Sequence, residues 1–368
     1  MATCIQSTVL TIRLLFGCIL LGSMVASAPA QAHATPAAQK QPTRATQSGD
    51  EDQSEDNHSP IRPGQVHDAV IWRDPGRLAR EDLFYGQGGK KGQPAPPFQF
   101  IEEDRQQSTP KFDARDAEGK KWRVKLGHEA RPEVVVSRLL WAVGYYVQDD
   151  YVLPEADIAG IHMHRGKQYI KGERITDARF ARKPSGQHKI ATWRWKKNAF
   201  TGTRELNGLR VMMALVNSWD LKDENNAVYE DKKSGRQLFL VSDTGSSFGR
   251  TGLHFTNGPS KDNLKAYVSS KFIVRTTETT VDFATPTPSW SLLAETLGLA
   301  TKQFLRRQRM LWIGRNIPRQ DAKWIGGLLG QLSHQQLVDA FRAGNYPPEQ
   351  VEQFVRVIEA RIKALNSL

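Results

Sequence analysis

Trp219-Asp220-Leu221-Lys222-Asp223-Glu224-Asn225-Asn226 and, a short excursion later, Val241-Ser242-Asp243-Thr244-Gly245 are the stretches that decide how this chain folds. Upstream of the first, Leu206, Leu209, Met213, Leu215 and Val216 recur at helical spacing, so the stretch emerges from the end of a long buried helix that starts near Thr203. Downstream, Val228-Tyr229 and residues 238–241 read as two short strands around the turn Asp231-Lys232-Lys233-Ser234-Gly235. The second strand runs straight into Asp243. Apolar elements therefore deliver two polar loops, the first rich in carboxylates and amides and the second carrying Asp243.

The region before this helix reads as β-rich. Residues 98–102, 111–115 and 122–126 are strand-like, the last two separated by the turn Ala117-Glu118-Gly119-Lys120. Within Trp122-Arg123-Val124-Lys125-Leu126 the lysine has apolar neighbours on both sides. Pro132 opens a helix that continues through Val134, Val135, Leu139 and Val143 and stops at Gly144, with Glu133 in its first turn. A strand over 145–152 and a hairpin over 161–175, turning at Arg165-Gly166-Lys167, complete the expected first half.

Phosphoryl transfer from a nucleotide requires a carboxylate to orient the attacking hydroxyl, a cation near the phosphate and oxygen ligands for Mg²⁺. Asp220, Lys222 and Asn225 form D-L-K-x-x-N, and Asp243-Thr244-Gly245 adds a D-x-G carboxylate. In order and spacing these loops resemble those of the protein-kinase-like superfamily. Ser218-Trp219-Asp220 stands where H-R-D is usual and Asp243-Thr244-Gly245 where D-F-G is usual, which is more similar to the atypical or secretory branches, including CotH-type and HipA-like enzymes. The likeness covers about residues 111–249 at motif level.

That resemblance implies an α+β, two-lobed fold, with a β-rich N-lobe over 67–175 and a mainly helical C-lobe over 176–368. It implies ATP and Mg²⁺ as cofactors, and a nucleotide and an unknown hydroxyl-bearing acceptor as partners. Asp220 would orient the acceptor hydroxyl and take its proton, and Lys222 would stabilise transferred charge. Asn225 and Asp243 would hold the metal, with Asn226 an alternative because the doubled asparagine leaves the register open by one. Lys125 would position the nucleotide phosphates, paired with Glu133 or, second, Glu129. No A-P-E signature follows the D-x-G loop.

The chain's ends and composition bear on compartment. Arg13 precedes an apolar run over 14–26, and Ser27-Ala28-Pro29-Ala30-Gln31-Ala32-His33-Ala34 offers A-x-A cleavage sites, so residues 1–34 read as a signal peptide. The run is shorter than the roughly 18 apolar residues a permanent span requires, so no membrane span is expected after processing. Residues 35–66, rich in Pro, Gln, Ser and acids, read as a disordered linker. Cys4 and Cys18 are the chain's 2 cysteines and both fall in the signal, leaving a mature chain without thiol chemistry. An exported, periplasmic or extracellular protein is expected. The net charge of +12 suits an anionic partner, but the cations are scattered and no nucleic-acid motif accompanies them, so nucleic acid is not expected.

Other conspicuous stretches read as structural. Tyr85-Gly86-Gln87-Gly88-Gly89-Lys90-Lys91-Gly92 has no strand leading into it and no helix after it, and is read as a surface connector rather than a phosphate loop. His162 and His164 lack a third metal ligand, and Trp193 and Trp195 read as one buried face. The competing functional class is a non-catalytic exported binding or scaffold module, either a pseudokinase or an unrelated α+β domain. A metal-dependent hydrolase using Asp220, Asp223 and Asp243 ranks below both for want of histidine ligands.

Overall fold

The computed structural model describes residues 59–105, 109–182, 186–218, 220–250, 261–284 and 311–368. The expected signal peptide and most of the expected linker lie outside them. Residues 59–66, assigned to the linker from sequence, are instead docked. Ile61 N donates to Thr192 O at 2.8 Å, Pro63–Gln65 make a single helical turn, and Ile61 and Val66 pack on the core. These two apolar side chains among polar neighbours are what the burial uses. β1 (Ala69–Val70) follows directly.

The first lobe is a sheet that closes on itself. Its strands are β2 (Phe98–Asp104), β3 (Lys111–Arg115), β4 (Lys121–Lys125), β5 (Asp149–Ala159), β6 (Ile170–Lys171) and β7 (Arg174–Arg182), in the order β4-β3-β2-β5-β7-β6. β7 also pairs with β4, Val124 opposite Phe180, which completes a small barrel. Alternation along each strand decides the inside. Trp122 and Val124 from β4, Phe112 from β3 and Phe180 from β7 are fully buried in one apolar cluster with Phe98 and Ile158. The opposite face of β4 carries Lys121, Arg123 and Lys125. Only Lys125 of these is buried, because α1 (Ala130–Ala142) brings Glu133 against it.

The expected turn at 117–120 is present and has a physical cause. Asp116 Oδ1 accepts from the backbone N–H groups of Glu118 and Lys120, and its Oδ2 accepts from the Trp122 indole at 2.8 Å. The expected 161–175 hairpin is not formed as read. Residues 161–169 are loop and a single helical turn, and the tight reversal falls at Gly172-Glu173 between β6 and β7, where Gly172 takes φ +63. The strand expected at 145–152 begins at Asp149 and continues to Ala159. β7 crosses the lobe boundary placed at residue 176, so the barrel runs on to Arg182.

The second lobe is mostly helical around a small sheet. β8 (Gln187–Ala191), α2 (Arg204–Leu215), β9 (Asn226–Asp231) and β10 (Gln237–Val241) come first, with sheet order β1-β10-β9-β8. α3 (Leu264–Val268), the hairpin β11 (Ile273–Thr276) and β12 (Thr280–Phe283), β13 (Ile317–Pro318), α4 (Arg319–Leu329), α5 (His334–Ala343) and α6 (Pro348–Asn366) follow. The expected capping box at Ser333 and Gln336 is formed. Val351, Phe354, Val355, Ile358, Ile362 and Leu365 of α6 join Leu206, Leu209 and Met213 of α2 in a single core. That core also takes Val135, Val136 and Leu139 of α1, so this helix is shared between the lobes. Among the described residues no helix is long and apolar enough to cross a membrane.

Arg361 of α6 fixes the point where the chain leaves α2. Its guanidinium, on a residue 4% exposed, donates to Leu215 O at 2.7 Å, Asn217 Oδ1 at 3.1 Å and Ser270 Oγ at 2.8 Å, and lies over the Tyr267 ring at 4.2 Å. The terminal carbonyls of α2 thereby gain a donor that the helix cannot supply. Leu215 O also accepts from Tyr267 OH and Ser270 Oγ from Asn217 Nδ2, so Arg361→Leu leaves Asn217 Oδ1 without its donor and is expected to cost about 2 kcal/mol in urea unfolding, because a buried acceptor left unpaired loses more than the net worth of a hydrogen bond.

Candidate active site

Lys125 ends β4 and its ammonium is enclosed by carboxylates from two directions. Nζ lies 2.9 Å from Glu133 Oε2, 3.3 Å from Asp243 Oδ1 and 3.5 Å from Glu129 Oε2. Both sequence candidates for its partner therefore reach it, with Glu133 the closer. Glu133 is one turn into α1, whereas Glu129 lies at the helix's N-terminal boundary. Gly245 of the D-x-G loop packs under Glu129, where a Cβ would come within 2.6 Å of Glu129 Cβ. That close approach is the physical reason for glycine at this position.

Asp220 and Asp243, far apart in sequence, are joined through Asn225. Its side-chain Nδ2 donates to Asp220 O at 2.6 Å, and its main-chain carbonyl accepts from Ser242 N at 2.9 Å and Asp243 N at 3.3 Å. Asn225 sits in a single helical turn, Asp223–Asn225, just before β9. Its Oδ1 has no hydrogen bond among the described residues. Asn226, by contrast, is the first residue of β9, fully buried, with Nδ2 donating to Trp193 O at 2.8 Å. The structure thus places Asn225, not Asn226, between the two loops. Lys222 Nζ pairs with Asp220 Oδ2 at 2.6 Å, both partly exposed. Trp193 and Trp195 are buried beneath this region, as read from sequence, and Trp195 N donates to Asp223 Oδ1 at 3.1 Å.

Behind Glu133 lies a chain of buried charges that sequence reasoning missed. Arg179 Nη1 is 3.3 Å from Glu133 Oε1, and its Nε donates to Asp150 Oδ2 at 3.2 Å. Asp150 also accepts from Arg138 at 2.8 Å and Ser137 Oγ at 2.6 Å. Neither Glu133 oxygen has a well-aligned hydrogen bond, although both are at ion-pair distance from a cation, so Glu133 is held by charge rather than by geometry. A small cavity beside it is lined by Ser137, Asp150, Arg179, Ser242 and Thr244. The signal for Arg179 was weak: a basic residue in an alternating strand reads as solvated until the helix that covers it is known.

The remaining marked residues lie elsewhere. The glycine-dense segment packs across β5, where Tyr151 OH donates to Gly89 O at 3.0 Å. His164 contacts Glu103 at 2.9 Å and His162 contacts Gly160 O at 3.0 Å. Among the described residues no group of His, Cys, Asp and Glu is arranged to hold a metal by itself.

Burial works against every charge here, and the partners decide the outcome. Burial disfavours the Lys125 ammonium, but Asp243, Glu133 and Glu129 outweigh it and raise its pKa, keeping it protonated. Burial pushes the Asp243 carboxyl up, yet Lys125 and then Arg179 hold it below its ordinary value. For Glu133 burial prevails and its pKa is raised, with Arg179 and Lys125 opposing. The sign for Asp243 follows. A carboxyl with a depressed folded pKa stabilises the fold above its ordinary value of 3.8, and that contribution is lost as pH falls through the depressed folded value. The difference in unfolding free energy between wild type and Asp243→Asn should be constant near neutrality and shrink as pH falls past the ordinary value of 3.8 toward the depressed folded one, as read in denaturant titrations.

No protein-family model and no curated protein matches this chain. Among solved structures, a crystal structure of a Helicobacter pylori proinflammatory kinase, CtkA, is similar over 70% of this chain and 93% of that one, with 9% identity and a TM-score of 0.35. A likeness at that level says nothing about chemistry. The elements themselves make an α+β fold of two lobes, a closed β-rich first lobe and a mostly helical second.

Proposed function

We propose that this chain is a phosphotransferase that passes the terminal phosphoryl group of ATP, with Mg²⁺, to a hydroxyl acceptor. The observation that carries this reading is the meeting of Lys125, Glu133 and Asp243 from β4, α1 and the loop after β10, with Asn225 tying the Asp220 loop to the same place.

Each residue has a task that its surroundings favour. Lys125, kept protonated by its carboxylates, grips phosphate oxygens. Asp243 Oδ2 and Asn225 Oδ1 make no hydrogen bond to any described residue, and such hard oxygens fit Mg²⁺. Bound there, Mg²⁺ supplies charge to offset that of the phosphates. Asp220 lies on a partly exposed loop, where it orients the acceptor hydroxyl and takes its proton as the new O–P bond forms and the bond to the leaving diphosphate breaks. Lys222, paired with Asp220, stabilises the transferred charge. Placement in an atypical or secretory branch, and export after removal of residues 1–34, are further parts of this proposal. They rest on Ser218-Trp219-Asp220 and on the apolar run at 14–26.

Calorimetric titration of the mature chain with ATP should show Mg²⁺-dependent binding that Asp243→Ala abolishes; equal binding in both, or none in either, overturns the reading. Asp220→Asn should bind ATP within about twofold of wild type and lose ADP release by about 100-fold or more, the usual weight of a positioned acid or base. ATP binding in the wild type with no ADP release would favour the non-catalytic module.

A further inference from the structure

The Glu129 carboxylate is held as proteins hold a phosphate. Lys261 Nζ pairs with Oε1, Lys125 Nζ lies 3.5 Å from Oε2, and Thr109 Oγ1 donates to Oε2 at 2.9 Å. The donors come from three parts of the chain: Lys125 from the end of β4, Thr109 from just before β3, and Lys261 from just before α3 in the second lobe. The Glu129 side chain is only 11% exposed. Two ammonium groups and a hydroxyl converging on one buried anion make a cradle that matches a phosphoryl group's oxygens at least as well as a carboxylate's.

Glu129 is placed to leave. It precedes α1 without capping it, since its side chain accepts no hydrogen bond from the first helical turn. Its Cβ and Cγ lie against Gly245, and its carboxylate is held only through side chains, those of Lys261, Lys125 and Thr109. Charge favours an exchange of anions over simple departure. Lys125, Lys261 and Arg179 stand against Glu129, Glu133 and Asp243, a balanced set. Removing the Glu129 charge leaves a net cation that an incoming phosphate neutralises.

We propose that Lys125, Lys261 and Thr109 form a phosphoryl-binding cradle that Glu129 occupies in the unliganded protein, and that a phosphate ligand enters by displacing the Glu129 carboxylate. The proposal rests on the ATP reading only for the identity of the phosphate's carrier. Lys261 and Thr109 become binding residues, and Glu129 a competitor for the site rather than a second anchor for Lys125.

Inorganic tripolyphosphate and Mg-ATP, each titrated calorimetrically into the full chain, test this. Glu129→Gln should bind tripolyphosphate about tenfold more tightly than wild type, corresponding to one displaced charge-assisted contact. Adding Lys261→Met or Thr109→Val to Glu129→Gln should reverse most of that gain. Glu129→Asp, which keeps the charge on a shorter arm and guards against misfolding of the neutral variant, should show a smaller gain. Unchanged or weaker tripolyphosphate binding in both Glu129 variants overturns the cradle. Tighter tripolyphosphate binding without ATP binding in any variant upholds the cradle and removes the ATP reading; ATP binding that both Glu129 variants weaken does the reverse.

Discussion

The buried ammonium of Lys125 is the constraint on which the site depends. Taking a charge of this kind out of water costs several kcal/mol, and only close opposite charges offset it. Those charges come from α1, through Glu133, from Glu129 just before it, and from the loop after β10, through Asp243. β4, α1 and that loop therefore cannot shift independently without leaving a charge unpaired. Glu133 in turn needs Arg179, and Arg179 needs Asp150, so the demand for compensation spreads through β7 and β5.

This polar network runs along the seam between two apolar clusters. One fills the barrel with Phe98, Phe112, Trp122 and Phe180; the other joins α1 to α2 and α6. Neither cluster alone specifies how the lobes meet. α1 belongs to both parts, since its apolar side lies in the second core while Glu133 faces Lys125. Packing sets where the helix lies, and ion pairs set its rotation and height. A site built this way is rigid at its base, around Arg179 and Asp150, and open to exchange at its rim, where Lys222 and Lys261 are partly exposed.

The parts that were legible in the sequence share a cause. The 117–120 turn, the α2 stripe and the capping box at Ser333 depend on neighbours a few residues apart, and local chemistry settled them, whereas α1 begins at Ala130, two residues before the start that Pro132 marks in the sequence. The misplaced hairpin at 161–175 shows the limit. Gly166 and Gly172 both take positive φ, but only Gly172 falls where β6 and β7 can pair in register, and register depends on β5 alongside. Likewise, residues 59–66 read as linker by composition, yet Ile61 and Val66 find a core that no local rule could announce.

By itself the sequence determined the chemistry on offer: which carboxylates, amides and lysines lie in loops between apolar elements, and in what order. The tertiary structure decided which of them meet. It put Asn225 rather than Asn226 between the Asp220 and Asp243 backbones, gave Lys125 both Glu133 and Glu129, and brought in Arg179 and Lys261, which no motif marks. The physical reason is that charge compensation at a buried site acts over a few ångströms of space, and contacts such as Lys125 with Asp243, or Glu129 with Lys261, join residues that more than a hundred positions of chain separate.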